Sequence, residues 1–87
     1  MVEIDRIGIV GLGYVGLPTA LAFHESGFSV TGVDISGRVV ESLLGGESPL
    51  VDKTENLRIP VESNRWEVSL DFNRLIDCDV ILITVPT

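Results

Sequence analysis

Three glycines near the start of the chain, Gly11, Gly13 and Gly16, stand at the spacing Gly-x-Gly-x-x-Gly. They follow a short apolar run and open a helix-compatible stretch, a context that makes this common pattern informative. The first glycine permits a tight turn, the second lets a diphosphate approach the backbone, and the third lets the helix pack closely. Amides at the start of such a helix bind phosphate without needing a lysine. The loop therefore predicts a dinucleotide-binding site.

An acidic residue follows this loop at the place where a ribose would lie. Asp34 ends the second predicted strand, and a carboxylate there accepts hydrogen bonds from the adenosine ribose and repels a 2′-phosphate. The cofactor is therefore expected to be NAD rather than NADP. Arg38 stands four residues later, where an arginine either accommodates that phosphate, is solvated or pairs with Asp34. A plain turn at the glycines, and an ordinary turn or a helix-capping role for Asp34, are less favoured interpretations.

The elements that must position these residues alternate between strand and helix. The predicted strands are Arg6–Val10, Phe28–Asp34, Trp66–Leu70 and Val80–Val85. Helices are predicted from Tyr14 to about Ser26, at Arg38–Leu44, as a turn or two at Phe72–Ile76, and as a short segment around Asp52–Arg58. This alternation predicts an α/β fold of the Rossmann type, with a parallel sheet that carries helices on both faces.

The last predicted strand has consequences for the completeness of the domain. Val80–Val85 is nearly all apolar, which is typical of a strand covered on both faces. Its edge would be free if the sheet stopped after this fourth strand, and natural domains normally avoid a free apolar edge. We therefore expect residues 1–87 to form an incomplete dinucleotide-binding domain, without substrate or catalytic domains. We also expect self-association, as a homodimer, through the Val80–Val85 edge.

Composition excludes several classes of function. The formal net charge of −7 argues against a nucleic-acid or anionic-membrane partner, and no apolar run is long enough to span a bilayer. A single cysteine, Cys78, excludes an internal disulfide and fits a cytoplasmic location. With His24 as the one histidine, a Cys and His zinc site is implausible. Asp77 and Asp79 flank the cysteine and disfavour a thiolate, so Cys78 is predicted to be a packing residue. His24 is predicted to be a packing or surface residue, and Trp66 a core or interface residue.

Four motifs stand in the order and spacing of the UDP-glucose/GDP-mannose dehydrogenase family, which essentially the whole chain resembles. They are Gly11–Pro18 (GLGYVGLP), Val33–Ile35 (VDI), Gly46–Pro49 (GESP) and Val85–Thr87 (VPT). The specificity of the resemblance lies in Gly-Tyr-Val-Gly-Leu-Pro combined with the terminal Val-Pro-Thr. The form with Leu17-Pro18 after the third glycine is similar, within that family, to the UDP-N-acetyl-mannosamine dehydrogenases.

The resemblance implies that the parent enzyme uses NAD to oxidise the C6 hydroxymethyl of a UDP-sugar, UDP-N-acetyl-mannosamine or else UDP-glucose, to the uronic acid. It implies these cofactor-facing positions: Gly11, Gly13, Tyr14, Val15, Gly16, Asp34, Pro86 and Thr87. Arg38 is added as a candidate, although many members carry their basic residue one place later, where Val39 stands here. The family's nucleophilic cysteine lies beyond residue 87, so no catalytic residue and no substrate contact are expected in this chain.

Two other protein classes share a glycine loop of this kind. A β-hydroxyacid dehydrogenase domain fits Gly-Tyr-Val-Gly-Leu-Pro and Val-Pro-Thr less well. A dinucleotide-sensing Rossmann module, similar to those that gate potassium transport, would bind the cofactor without hydride transfer. Residues beyond Thr87 would distinguish these alternatives from a nucleotide-sugar dehydrogenase.

Overall fold

Four parallel strands form a single sheet in the computed structural model, which describes residues 3–49 and 57–84. The strands are β1 (Arg6–Val10), β2 (Ser29–Val33), β3 (Trp66–Ser69) and β4 (Val80–Ile83), and they lie in the order β3-β2-β1-β4. The helices are α1 (Gly16–Glu25), α2 (Gly37–Leu44) and a 3₁₀ helix (Phe72–Asp77). This is the Rossmann-type α/β fold expected from the sequence.

The predicted elements agree with the observed ones, with small differences at their ends. Helix α1 begins two residues later than expected, at Gly16, because Tyr14 and Val15 still belong to the loop that follows β1. The third predicted helix, at Phe72–Ile76, is a 3₁₀ helix. The short helix expected at 52–58 falls mainly outside the described residues.

The two faces of the sheet are covered differently. Ile7 and Ile9 of β1 belong to the buried core together with Leu17 of α1 and Leu43 of α2. The residue between them, Gly8, faces the other way, toward the 3₁₀ helix. Right-handed crossovers explain this division, because β1-α1-β2-α2-β3 advances in one direction, whereas the connection from β3 to β4 returns across the sheet.

Strand β4 lies at one edge of the sheet and is covered on one of its faces. Val80 and Leu82 are half-buried against the core, whereas Ile81 and Ile83 are 46% and 70% exposed. The composition of the run is typical of a strand covered on both faces, and the uncovered face that we expect for it in this chain is the one with Ile81 and Ile83.

Glycines in two strands let side chains pack directly on the backbone. A Cβ at Gly8 would lie 2.8 Å from Cδ2 of Leu75, and one at Gly32 would lie 2.9 Å from Cδ2 of Leu12. Leu12 is fully buried and belongs to the core. The Leu12 side chain therefore packs the glycine loop against β2.

An aspartate holds the opposite end of the sheet, where β1 and β4 begin. Oδ2 of Asp79 accepts hydrogen bonds from the amides of Asp5 (2.8 Å) and Arg6 (2.9 Å). These two hydrogen bonds lower the pKa of the Asp79 carboxyl, and the bond from the Arg6 amide has the larger effect. Asp79 therefore fixes the start of β1 against the start of β4.

The end of α1 is tied to the segment before β3. Nε2 of His24 lies 2.8 Å from Oγ of Ser63, and its ring meets the Trp66 ring edge-on at 5.7 Å between centroids. Nη1 of Arg65 donates to the carbonyl oxygens of His24 (3.1 Å) and Phe28 (3.0 Å). Burial and the nearby Arg65 lower the pKa of His24. These contacts agree with the packing roles predicted for His24 and Trp66.

None of the helices in the described part of the chain combines the length and the hydropathy that crossing a membrane requires.

Candidate functional site

The glycine loop begins with a turn that only glycine makes without strain. Gly11 has φ of 93°, a conformation in which a Cβ would clash with the backbone. Its amide donates to the carbonyl oxygen of Val33 (2.9 Å), so the loop leaves β1 while still bonded to the end of β2. The tight turn predicted at Gly11 is confirmed.

The carboxylate of Asp34 reaches back to this loop. Its Oδ2 accepts a hydrogen bond from the amide of Leu12 (2.8 Å), and its Oδ1 accepts one from the amide of Ser36 (2.9 Å). An ionised carboxylate has about four acceptor sites, so each oxygen keeps a further lone pair for hydroxyl donors. Asp34 is only partly buried, which leaves those sites accessible.

The start of α1 offers unpaired backbone amides to the same region. The amide of Leu17 already donates to the carbonyl of Gly13 in the loop (3.0 Å), and Val15 caps the helix without a side-chain hydrogen bond. Pro18 lies in the first turn, where its lack of an amide removes at most one backbone hydrogen bond. Within the described residues, the amides from Gly13 to Gly16 have no hydrogen-bond partner, and they lie at the positive end of the dipole of α1.

The second and third glycines of the motif have different surroundings. A Cβ added at Gly13 would meet nothing within 4 Å, whereas one added at Gly16 would overlap the carbonyl oxygen of Gly11 and Oγ1 of Thr84. Gly16 is therefore needed by the protein itself, because α1 starts directly against the loop. The open space beside Gly13 is of the kind that a close-lying diphosphate would need.

The remaining predicted site residues lie around the loop and at the start of α2. Tyr14 and Val15 are 62% and 65% exposed beside the loop. Arg38 is exposed on the first turn of α2, and among the described residues it forms no ion pair with Asp34. The helix cap of α2 is Ser36, whose Oγ accepts from the amide of Val39 (3.3 Å). The alternative in which Asp34 caps that helix is thus wrong.

Pro86 and Thr87, predicted to face the cofactor, lie outside the described residues.

Thr84 belongs to this region although it was not among the site residues predicted from the sequence. Its Oγ1 lies 2.7 Å from the carbonyl oxygen of Gly11 and 3.1 Å from that of Val10, and donates toward them. A signal was present in the sequence, since Thr84 is the polar residue inside the apolar run Val80–Val85. That signal could not identify its partner.

Cys78 lies away from the glycine loop, beneath Gly8 on the other face of the sheet. The expected rise in the pKa of its thiol is confirmed, but the main cause is burial, with the carboxylates of Asp79 and Asp77 adding less. Within residues 3–49 and 57–84, no three His, Cys, Asp or Glu side chains are grouped so that they could hold a metal ion.

Comparison with known proteins agrees with this geometry. Residues 5–87 match the family model for the NAD binding domain of the UDP-glucose/GDP-mannose dehydrogenase family. The chain is 39% identical to a UDP-N-acetyl-D-mannosamine dehydrogenase of Pyrococcus horikoshii, over 94% of this chain and 20% of that protein. It is 32% identical to a UDP-glucose 6-dehydrogenase of Haloferax volcanii, over 94% of this chain and 19% of the relative.

A solved structure is similar as well. The UDP-D-ManNAc dehydrogenase of Pyrococcus horikoshii superposes with a TM-score of 0.83 at 32% identity, covering 92% of this chain and 20% of that one. The chain spans about one fifth of the length of the curated relatives it matches.

The contrast between Gly16 and Gly13 generates a prediction about stability. Gly16→Ala is expected to lower the free energy of unfolding by about 3 kcal/mol or more, because backbone atoms of Gly11 cannot move aside as a side chain could. Gly13→Ala should change it by less than about 1 kcal/mol, because the position is open and its φ is not positive. Urea unfolding followed by circular dichroism measures both, and equal losses would contradict the assignment of Gly16 to packing.

Proposed function

Because the chain belongs to the UDP-glucose/GDP-mannose dehydrogenase family, we propose that it is the NAD-binding part of an enzyme that oxidises the C6 hydroxymethyl of a UDP-sugar to the uronic acid. The observation that carries this proposal is the meeting of three features at the carboxyl ends of β1 and β2. These are the turn at Gly11, the free amides at the start of α1 and the carboxylate of Asp34.

The residues of this chain fit a dinucleotide. The amides of the loop, from Gly13 to Gly16, would hold the diphosphate, helped by the dipole of α1. Asp34 would accept hydrogen bonds from the ribose hydroxyls through the lone pairs that Leu12 and Ser36 leave free. When bound, NAD supplies the acceptor for the hydride that leaves the substrate.

The binding site relies on backbone dipoles, which suits a chain with a net charge of −7. A 2′-phosphate on the ribose would approach the carboxylate of Asp34, and this favours NAD over NADP. We propose that Arg38 stays solvated, because it is exposed and forms no ion pair with Asp34 among the described residues. Pro86 and Thr87 remain proposed cofactor contacts from the family resemblance.

We propose UDP-N-acetyl-mannosamine as the substrate of the whole enzyme, with UDP-glucose as the alternative. The support is the Leu17-Pro18 pair after the glycine loop and the identity to a UDP-N-acetyl-D-mannosamine dehydrogenase. We place the nucleophilic cysteine and the sugar site in a part of the enzyme that follows residue 87. The proposed location is the cytoplasm.

The choice of substrate predicts a kinetic difference in the full-length enzyme. We expect kcat/KM with UDP-N-acetyl-mannosamine to exceed that with UDP-glucose by at least about tenfold, because a site built for the acetamido group leaves polar atoms unpaired without it. Initial rates of NADH formation with each UDP-sugar measure this ratio. A higher kcat/KM with UDP-glucose would contradict the proposed substrate and favour UDP-glucose, and it would leave the cofactor assignment unchanged.

Asp34 provides the sharpest test of the cofactor assignment. We expect Asp34→Asn to weaken NAD binding at least about tenfold, because it removes charge-assisted hydrogen bonds to the ribose. Discrimination against NADP should narrow as well, since the repulsion of its phosphate is gone. Isothermal titration calorimetry with NAD and NADP measures both effects.

Asp79→Asn is the matched control for this experiment. Asp79 also accepts two backbone amides, but at the opposite end of the sheet. We therefore expect Asp79→Asn to lower the free energy of unfolding as Asp34→Asn does, because each change weakens two hydrogen bonds to backbone amides. It should leave NAD affinity within about twofold of the wild type. If Asp34→Asn binds NAD as tightly as the wild type, Asp34 does not hold the ribose. A folded wild-type protein that binds no NAD would contradict the cofactor proposal itself.

The exposed side of β4 supports the proposed self-association of the 87-residue chain. Ile81 and Ile83 are exposed on a strand at the sheet edge, and a second copy could pair with that edge and cover them. We expect a concentration-dependent dimer by sedimentation equilibrium, and we expect Ile83→Lys to weaken it at least about tenfold. Leu44→Lys, a change of an exposed apolar residue on α2, is the control and should leave the dimer intact. A monomer at millimolar concentration would contradict the proposal.

A further inference from the structure

The peptide group between Gly11 and Leu12 is held at both of its ends. Its carbonyl oxygen, on Gly11, accepts a hydrogen bond from Oγ1 of Thr84 (2.7 Å). Its amide, on Leu12, donates to Oδ2 of Asp34 (2.8 Å). Thr84 follows β4, and Asp34 follows β2. One peptide at the end of β1 thus joins the carboxyl ends of three neighbouring strands.

The planarity of the peptide couples these two hydrogen bonds. Because the C–N bond has partial double-bond character, the carbonyl and the amide of one peptide point in opposite directions and rotate together. If the carbonyl of Gly11 turned away from Thr84, the amide of Leu12 would turn away from Asp34. Such a rotation changes ψ of Gly11 and φ of Leu12, and a glycine, which has no Cβ, restricts its own ψ less than any other residue. The glycine alone therefore does not fix the orientation of the peptide.

The hydroxyl of Thr84 supplies this orientation. Gly11 is buried, and within the described residues Thr84 is the donor to its carbonyl oxygen. The other nearby carbonyl, that of Val10, already accepts the backbone amide of Thr84 (2.8 Å). Without the hydroxyl, the carbonyl of Gly11 would stay buried beside α1 and lack a partner, which favours rotation of the peptide.

We propose that Thr84 is a positioning residue of the dinucleotide site, which holds the Gly11–Leu12 peptide and, through it, the carboxylate of Asp34. This inference rests on the proposed function, because the ligand that Asp34 serves is the cofactor of that proposal. Thr84 touches the loop and acts on the ligand only through it. Its role is to keep the lone pairs of Asp34 aimed at the ribose before the ligand arrives, which lowers the cost of binding.

The test compares three variants of the 87-residue protein, each titrated with NAD by calorimetry. Thr84→Val keeps the shape and removes the hydroxyl, and we expect NAD affinity to fall about fivefold, the size typical of one net hydrogen bond. Thr84→Ser restores the hydroxyl and should bind within about twofold of the wild type. Thr31→Val is the matched control, because Thr31 is a buried threonine of β2 whose hydroxyl faces Glu67 and not the loop.

A second measurement distinguishes positioning from general destabilisation. Amide hydrogen exchange, followed by NMR without ligand, should show faster exchange at Leu12 in Thr84→Val. The same amide should be unchanged in Thr84→Ser and in Thr31→Val. A general loss of stability would raise exchange throughout the sheet instead of at Leu12.

The outcomes separate this inference from the proposed function. Weaker NAD binding in Thr84→Val, restored by serine and accompanied by faster Leu12 exchange, supports the positioning role. If the wild type binds NAD and Thr84→Val binds it equally well, the positioning role is wrong and the proposed function stands. Equal losses of affinity in Thr84→Val and Thr31→Val would overturn the positioning role in the same way. If the folded wild type binds no NAD, both proposals fail.

Discussion

The close approach of α1 to the carbonyl oxygen of Gly11 is the contact on which the other features of the site depend. The helix begins within van der Waals range of the loop because Gly16 has no Cβ. That short distance brings the amides from Gly13 to Gly16, which have no partner within the described residues, next to the end of β1. It also buries the carbonyl of Gly11, which then needs a hydrogen-bond donor from elsewhere. Gly16 therefore allows α1 to approach the loop closely, and Thr84 supplies the hydrogen-bond donor that the buried carbonyl of Gly11 then needs.

The same region shows how a strongly acidic domain can prepare a place for an anion. With a net charge of −7, long-range electrostatics oppose a diphosphate. The local field differs, because helix N-terminal amides present partial positive charge over a few ångströms, where they dominate distant charges. Asp34 accepts hydrogen bonds from the amides of Leu12 and Ser36 through its two oxygens. Its free lone pairs are then suited to hydroxyl groups.

The sheet also shows a division between a packed face and a thinly covered face. The face beneath α1 and α2 contains most of the described core, whereas the other face carries a short 3₁₀ helix beside Gly8. The glycine there lets Leu75 and Cys78 approach the backbone closely, so that a short helix still covers the middle of the sheet. Ile81 and Ile83, further along β4, stay exposed. The site at the carboxyl ends of the strands is therefore supported mainly by the packed face.

The sequence by itself determined the alternation of strands and helices, the glycine turn and the acid that ends β2. These features are local, because each depends on residues that are neighbours in the chain. They are the hydrophobic periodicity, the need for glycine at positive φ and the free amides at the start of a helix. The Rossmann topology then follows from the handedness of the crossovers. The ends of α1 and the 3₁₀ form of the third helix did not follow, because packing decides the last turn of a helix.

Only the tertiary structure decided which distant residues complete the site. Thr84 meets Gly11 across a sequence separation of 73 residues, and Leu12 packs on Gly32 of a different strand. The second role of Asp34, as an acceptor for the loop, was also hidden. Sequence patterns identify which residue types are polar or small, but a hydrogen bond between two strands depends on their register. That register is set by the packing of the whole sheet.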